Sequence, residues 1–144
     1  MSEKEIQYFM SEAMREGQKA IPKCFPNPPV GCVIVKDNTI ISRGHTNEPG
    51  QPHAEAMALN NLPAGIEDFI MFVTLEPCSF QGRTPSCAKR IVTTTCRKVY
   101  VGMIDPHIKN QGKGIDILKV ANIEVEVGVL ENEVKAQLEP YLLK

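Results

Sequence analysis

The sequence predicts an α/β fold: a three-layer α/β/α sandwich around a mixed five-stranded sheet. Three observations carry that expectation. The first twenty residues hold an amphipathic helical pattern. Two short strand-like runs then follow, joined by a few turn-forming residues. From there, helical and extended segments alternate to the end in the order α–β–β–α–β–α–β–α–β–α. An opening hairpin makes antiparallel neighbours and strand–helix–strand units make parallel ones, so the sheet must be mixed and covered by helices.

Each element has a local cause. Over residues 3–20, Ile6, Phe9, Met10, Ala13, Met14 and Gly17 recur on one face of a 3.6-residue period. Ser2 is placed to cap this helix, with Glu5 three residues on completing a capping box. Phe25-Pro26-Asn27-Pro28-Pro29 is excluded from regular structure, because proline fixes φ and pushes its predecessor out of the helical region. Asn27 is thus held on a stiff loop.

Val30 to Val35 reads as a buried strand, Lys36-Asp37-Asn38 as a turn and Thr39 to Ser42 as the returning strand. A helix is expected from Pro52-His53 through Leu59, with proline suited to its first turn. Phe69 to Leu75 is the next buried strand, and a helix opens near Pro85-Ser86. Lys98 to Met103, Lys113 to Val120 and Ile123 to Val127 read as strand, helix and strand. Glu131 to Leu142 reads as the last helix, with Pro140 interrupting its final turn. Gly112-Lys113-Gly114 is too short for a nucleotide-binding fingerprint and is read as a loop opening a helix.

Composition narrows the function classes. At 144 residues the chain is expected to form a single domain, residues 1–144. Sixteen basic and seventeen acidic residues leave a net charge of −1, which gives no bulk attraction to nucleic acid. No apolar run is long enough to span a membrane, and the N-terminus lacks a signal-peptide core, so a cytoplasmic location is expected. Five cysteines cannot all pair, and cysteine near histidine reads better as metal chemistry.

That chemistry is carried by His53-Ala54-Glu55, Pro77-Cys78 and Cys87. One imidazole and two thiolates suit Zn²⁺ with a fourth position left open, the arrangement of a catalytic rather than a structural site. All three sit at or near expected helix starts, where free N–H groups favour thiolate. Glu55, two residues beyond His53, is placed to shuttle protons. Histidine-x-glutamate with a proline-cysteine and a later cysteine is the signature of zinc nucleobase deaminases, in which the glutamate is not a ligand. Cys32, inside a strand, and Cys96, just before one, read as structural; Cys24 sits in the proline-rich loop, open to exposure and without a role.

Eight residues separate Cys78 from Cys87, where deaminases widely have two. This spacing, with Thr74-Leu75-Glu76-Pro77-Cys78-Ser79 before it and Gly82-Arg83-Thr84-Pro85 inside it, resembles the pyrimidine deaminase domain of riboflavin biosynthesis, a branch of the zinc-dependent cytidine deaminase-like superfamily. Pro26 to Val35, Gly44-His45-Thr46, Pro49-Gly50, Pro52 to Glu55, Asp105-Pro106 and Asn122 to Glu131 extend the resemblance over nearly the whole chain.

The resemblance implies a cytidine deaminase-like fold and hydrolytic deamination of diaminohydroxyphosphoribosylaminopyrimidine. It implies His53, Cys78 and Cys87 as zinc ligands and Glu55 as the proton shuttle. Asn27 would contact the pyrimidine, Arg83 the phosphate and Asp105 the ribose, with His107 and Asn110 in the same neighbourhood. It further implies a phosphorylated small-molecule substrate, a homodimer or higher homo-oligomer, and a reductase on a separate chain. Nucleic acid and membrane are not expected partners. Phe80 stands where the family usually has histidine, and Ser86 where it usually has proline. Phe80 removes a polar contact and keeps a second reading open: the same zinc chemistry on another pyrimidine, a purine base or a nucleoside. Deamination of a nucleic acid and a zinc-stabilised binding module without catalysis are the remaining alternatives.

Overall fold

A computed structural model describes residues 1–142. Helix α1 (Glu3–Gln18) opens the chain, and its capping box forms as expected: Ser2 Oγ accepts from Glu5 N–H at 3.2 Å, and Glu5 Oε1 accepts from Ser2 N–H at 2.8 Å. The helix stops two residues before the expected end, where the chain turns toward Pro22. Strands β1 (Gly31–Lys36) and β2 (Thr39–His45) form the hairpin. Asp37 and Asn38, at φ of 51° and 57°, make the left-handed two-residue turn whose twist matches that of the strands. Strand β2 runs three residues further than expected, to His45, because its end stays paired with Gly31.

Helix α2 (Ala54–Asn60), strand β3 (Ile70–Leu75), helix α3 (Cys87–Ile91), strand β4 (Lys98–Met103), helix α4 (Lys113–Val120), strand β5 (Glu124–Val127) and helix α5 (Glu131–Leu138) follow. The expected twelve-residue last helix ends at Leu138, and a short 3₁₀ turn takes over at Glu139–Tyr141 around Pro140. No helix among the described residues is long and apolar enough to cross a membrane.

The five strands form one sheet in the order β2-β1-β3-β4-β5. Strand β1 is antiparallel to both β2 and β3, while β3, β4 and β5 are parallel, so the mixed sheet is as expected. Helices cover both faces. On one face, α1 meets β1 where Gly31 lies against the Ala13 carbonyl, and Gln137 Nε2 of α5 donates to Met14 O of α1 at 2.9 Å. Phe72 stacks on Tyr100 in this layer, ring centroids 4.6 Å apart, and Phe9 packs tilted against Phe72 at 5.4 Å. On the other face, α2 packs on β2 and β1, and α3 lies between α2 and α4. Met10, Ile34, Met71, Phe72, Ile91 and Leu118 are among the buried side chains that fill the two interfaces.

This topology brings four loops to one end of the sheet. The residues before β1 and those after β2, β3 and β4 all emerge at the carboxyl ends of the parallel strands, because β1 runs opposite to β3. Ligand sites of open α/β sheets lie at that end.

Candidate active site

His53 is the N-cap of α2, Cys78 lies in the loop after β3, and Cys87 is the first residue of α3. Their ligand atoms all lie within 4.8 Å of one another. His53 Nδ1 is 3.7 Å from Cys78 Sγ and 3.5 Å from Cys87 Sγ. Zinc bonded at ~2.3 Å to sulfur and ~2.0 Å to nitrogen, at a tetrahedral angle, would hold such a pair about 3.5 Å apart. The donors present therefore fit zinc, and Nδ1 is the nitrogen that faces it.

Local hydrogen bonds hold this arrangement. Cys87 N–H donates to Cys78 Sγ at 3.2 Å, and Ala88 N–H to Cys78 O at 3.0 Å. Ser86 Oγ donates to Cys78 O at 2.8 Å and accepts from Lys89 N–H at 3.2 Å, capping α3. Bonds from Cys87, above all, with His53 beside it, pull the Cys78 thiol down to about 4, so it is a thiolate at neutral pH. The neighbouring Cys78 sulfur and burial push the Cys87 thiol the other way, as sharing one proton between two adjacent thiols requires.

Glu55 lies in the first turn of α2 and is buried. Burial first, and the Cys78 charge second, raise its carboxyl to about 7. A carboxyl poised there both takes and gives a proton near neutral pH.

The other sequence candidates fall around this cluster unevenly. Asn27 is half-buried; its N–H donates to Cys24 O at 2.7 Å, and its side-chain amide makes no hydrogen bond among the described residues. Arg83 is exposed, has no ion pair among the described residues, and rests its stem by Gly50. Asp105 shapes its own loop: Oδ1 accepts from His107 N–H at 2.9 Å and Oδ2 from Asn110 Nδ2 at 3.3 Å. His107 Nδ1 accepts from Lys109 N–H at 3.1 Å, and its ring lies 6.2 Å from that of Phe80. Phe80 is 39% exposed, so this ring pair stands at the surface. Asn110 is fully buried and structural: it binds Pro77 O at 3.2 Å and Ser79 N–H at 3.1 Å, tying the loop after β4 to the cysteine loop.

Cys24 corrects the expectation of exposure. It is fully buried, because the proline-rich segment folds back under the end of α1. Cys32 and Cys96 are buried as expected.

Two residues without any marking spacing also hold the site. The buried Glu76 carboxylate accepts three backbone N–H groups, from Asp105 at 3.1 Å, Gly112 at 2.9 Å and Ile115 at 3.1 Å. It anchors the start of α4 to the strand end that leads into Cys78. Thr84 Oγ1 lies 2.9 Å from His53 Nε2. Both residues stand in the motifs that carry the family resemblance, Glu76 before Pro77-Cys78 and Thr84 after Arg83, but no spacing assigned either a role. A cavity of about 700 Å³ is lined by Lys19, Lys23, Asn47, Pro52 and Asn60 among others and by none of His53, Cys78 and Cys87.

The family model for the cytidine and deoxycytidylate deaminase zinc-binding region matches residues 3–103. The chain belongs to that deaminase family. Its metal is zinc, in agreement with the His53, Cys78 and Cys87 donor set. The chain is similar to riboflavin biosynthesis protein RibD of Chlamydia pneumoniae, 42% identical over 94% of this chain and 36% of that protein. RibD of Escherichia coli K12 is 38% identical over 96% of this chain and 37% of its own length. The chain thus spans little more than a third of these relatives.

Among solved structures, RibD of Acinetobacter baumannii superposes with a TM-score of 0.91 at 40% identity, covering 97% of this chain and 39% of that one. A diaminohydroxyphosphoribosylaminopyrimidine deaminase/5-amino-6-(5-phosphoribosylamino)uracil reductase of Thermotoga maritima gives 0.90 at 37% identity, over 96% and 40% of the two chains. The dCMP deaminase of cyanophage S-TIM5 gives 0.68 at 27% identity, over 88% and 99%. The cytidine deaminase-like fold expected from the sequence is therefore the observed one.

Proposed function

We propose that this deaminase-family chain hydrolyses the exocyclic amine of diaminohydroxyphosphoribosylaminopyrimidine, the deamination of riboflavin biosynthesis. One observation carries the reading. The His53–Cys78–Cys87 cluster, with buried Glu55 beside it, sits in a chain about 40% identical to RibD proteins over nearly all its length.

In this reading His53 Nδ1, Cys78 Sγ and Cys87 Sγ hold zinc. The bound metal supplies a Lewis acid that makes water a nucleophile near neutral pH. Glu55 would take a proton from the attacking water and deliver it to the ring nitrogen, then pass the remaining hydroxyl proton to the departing amine. A C–O bond forms and the C–N bond breaks; one proton of the water stays on the ring nitrogen and the other leaves on the ammonia. Burial of Glu55 excludes bulk solvent as a competing proton source. Asn27, with its side-chain donor and acceptor free, reads the pyrimidine edge. Arg83, exposed and without an ion pair among the described residues, binds the phosphate, and Asp105 and His107 border the ribose. The deaminase domain works in a homo-oligomer.

The Phe80–His107 ring pair favours a second reading, in which the same chemistry acts on an unphosphorylated pyrimidine, a purine base or a nucleoside. Ammonia release by zinc-loaded protein separates the two. Turnover of the phosphorylated riboside well above its dephosphorylated form, cytidine and guanine is expected. Turnover of one of the others in its place would overturn the first reading.

A further inference from the structure

We propose that Thr84 is a positioning residue for the metal centre: its hydroxyl accepts the Nε2–H of His53 and thereby commits Nδ1 to the metal. The inference rests on the metal reading of the His53–Cys78–Cys87 cluster.

The geometry is specific. His53 Nδ1 faces both sulfurs, at 3.7 and 3.5 Å, and among the described residues the one hydrogen-bond partner of Nε2 is Thr84 Oγ1, at 2.9 Å. A ligating imidazole has no proton on the nitrogen that binds, so its single N–H must lie on the other. The Thr84 hydroxyl, able to donate or accept, must then accept. A hydrogen bond there fixes both the tautomer and the ring plane, and such outer partners tune metal affinity. Without it, the ring of His53 is free to turn about its χ2 and present either nitrogen, because the helix holds only its backbone.

The wide spacing of the two cysteines acquires a physical reason. The segment between them turns back over α2, held by Gly82 N–H to Thr84 O at 3.1 Å on one side and by the Ser86 clamp on Cys78 O at 2.8 Å on the other. Thr84 is partly buried between these anchors, while its neighbour Arg83 is exposed. A two-residue spacer has no room for such a return. The loop that separates the two thiolates therefore also supplies the hydrogen-bond partner of the third ligand.

The test is zinc affinity, measured by competition with a chromogenic chelator and independent of turnover. Thr84→Val keeps the shape and removes the acceptor; Thr84→Ser keeps the acceptor and removes the methyl. Zinc binding weaker by roughly 10–100-fold in Thr84→Val, with Thr84→Ser within about threefold of the wild type, is expected. Thr84→Ala serves in place of the valine variant if the latter does not fold, as judged by circular dichroism of the zinc-free proteins. Wild-type affinity in the valine or alanine variant, or an equal loss in the serine variant, overturns the proposal. Those results leave the substrate comparison untouched. Conversely, failure of the phosphorylated riboside to turn over overturns the functional reading without changing the affinity ratios.

Discussion

Gly44 of β2 lies against Ala54, the first residue of α2, so closely that a Cβ on Gly44 would overlap the Ala54 carbonyl oxygen and stand 2.5 Å from the Ala58 amide nitrogen. Both obstacles are backbone, so no side chain can yield. Gly44→Ala must therefore push α2 off the sheet, and α2 is capped by His53 and carries Glu55. A loss of about 1–3 kcal/mol is expected for such overpacking, together with weaker zinc binding. Thermal unfolding and chelator competition on the same variant check both; wild-type values in both would show that α2 is not held by this contact.

Glu55→Gln removes the buried carboxyl proposed as the proton shuttle and leaves the His53, Cys78 and Cys87 donors in place. Ammonia release should fall by about 10²–10⁴-fold, while zinc content stays at the wild-type level. Turnover together with metal analysis reads the two effects separately, and unchanged turnover would remove Glu55 from the mechanism.

Removal of zinc by a chelator should abolish activity, and added zinc should restore it. Cys87→Ser should lose zinc outright, since a serine hydroxyl is not ionised at neutral pH as a ligand must be. Cys96→Ala should keep its zinc, because its thiol turns away to Lys98 O at 3.4 Å. Metal analysis of both purified variants is the measurement, and zinc loss in the Cys96 variant would contradict the assignment.

Glu76→Gln should destabilise the fold by about 1.5–3 kcal/mol, the range for a hydrogen-bonded charged group. A glutamine presents an N–H₂ to backbone donors that Glu76 now accepts from at 2.9 to 3.1 Å. Urea unfolding measures the loss. An equal stability would mean that the loop after β4 and the start of α4 hold themselves.

Acid stability should depend on Glu16. Burial alone raises its carboxyl, but bonds from His45 and Lys19 outweigh this and hold it below the ordinary 4.5. A carboxyl lower in the folded than in the unfolded state binds fewer protons when folded, so its stabilisation is complete above about 4.5 and fades as pH falls through the folded value. Glu16→Gln should therefore lower stability at neutral pH, and the gap to the wild type should close in acid. Urea midpoints measured across that range decide; a gap independent of pH would assign the loss to packing.

Much of this molecule was legible locally. The α1 capping box, the Asp37-Asn38 turn and the α4 boundaries depend on residues within a few positions of one another, so their spacing announced them. The metal trio was legible for a different reason: zinc accepts few residue types, and histidine-x-glutamate with two cysteines is a scarce combination. Boundaries slipped where pairing between distant segments decided them, as at the end of β2, which Gly31 extends to His45.

By itself, then, the sequence determined the order of elements, the mixed sheet and the donor types, one histidine and two cysteines, that the fold brings together, because periodicity, capping and donor type are properties of short stretches. Only the tertiary structure decided the strand order β2-β1-β3-β4-β5, the burial of Cys24, the three N–H groups gathered by Glu76 and the meeting of Thr84 with His53. Those are contacts between segments far apart along the chain. Their existence depends on how layers pack, and no local spacing encodes that.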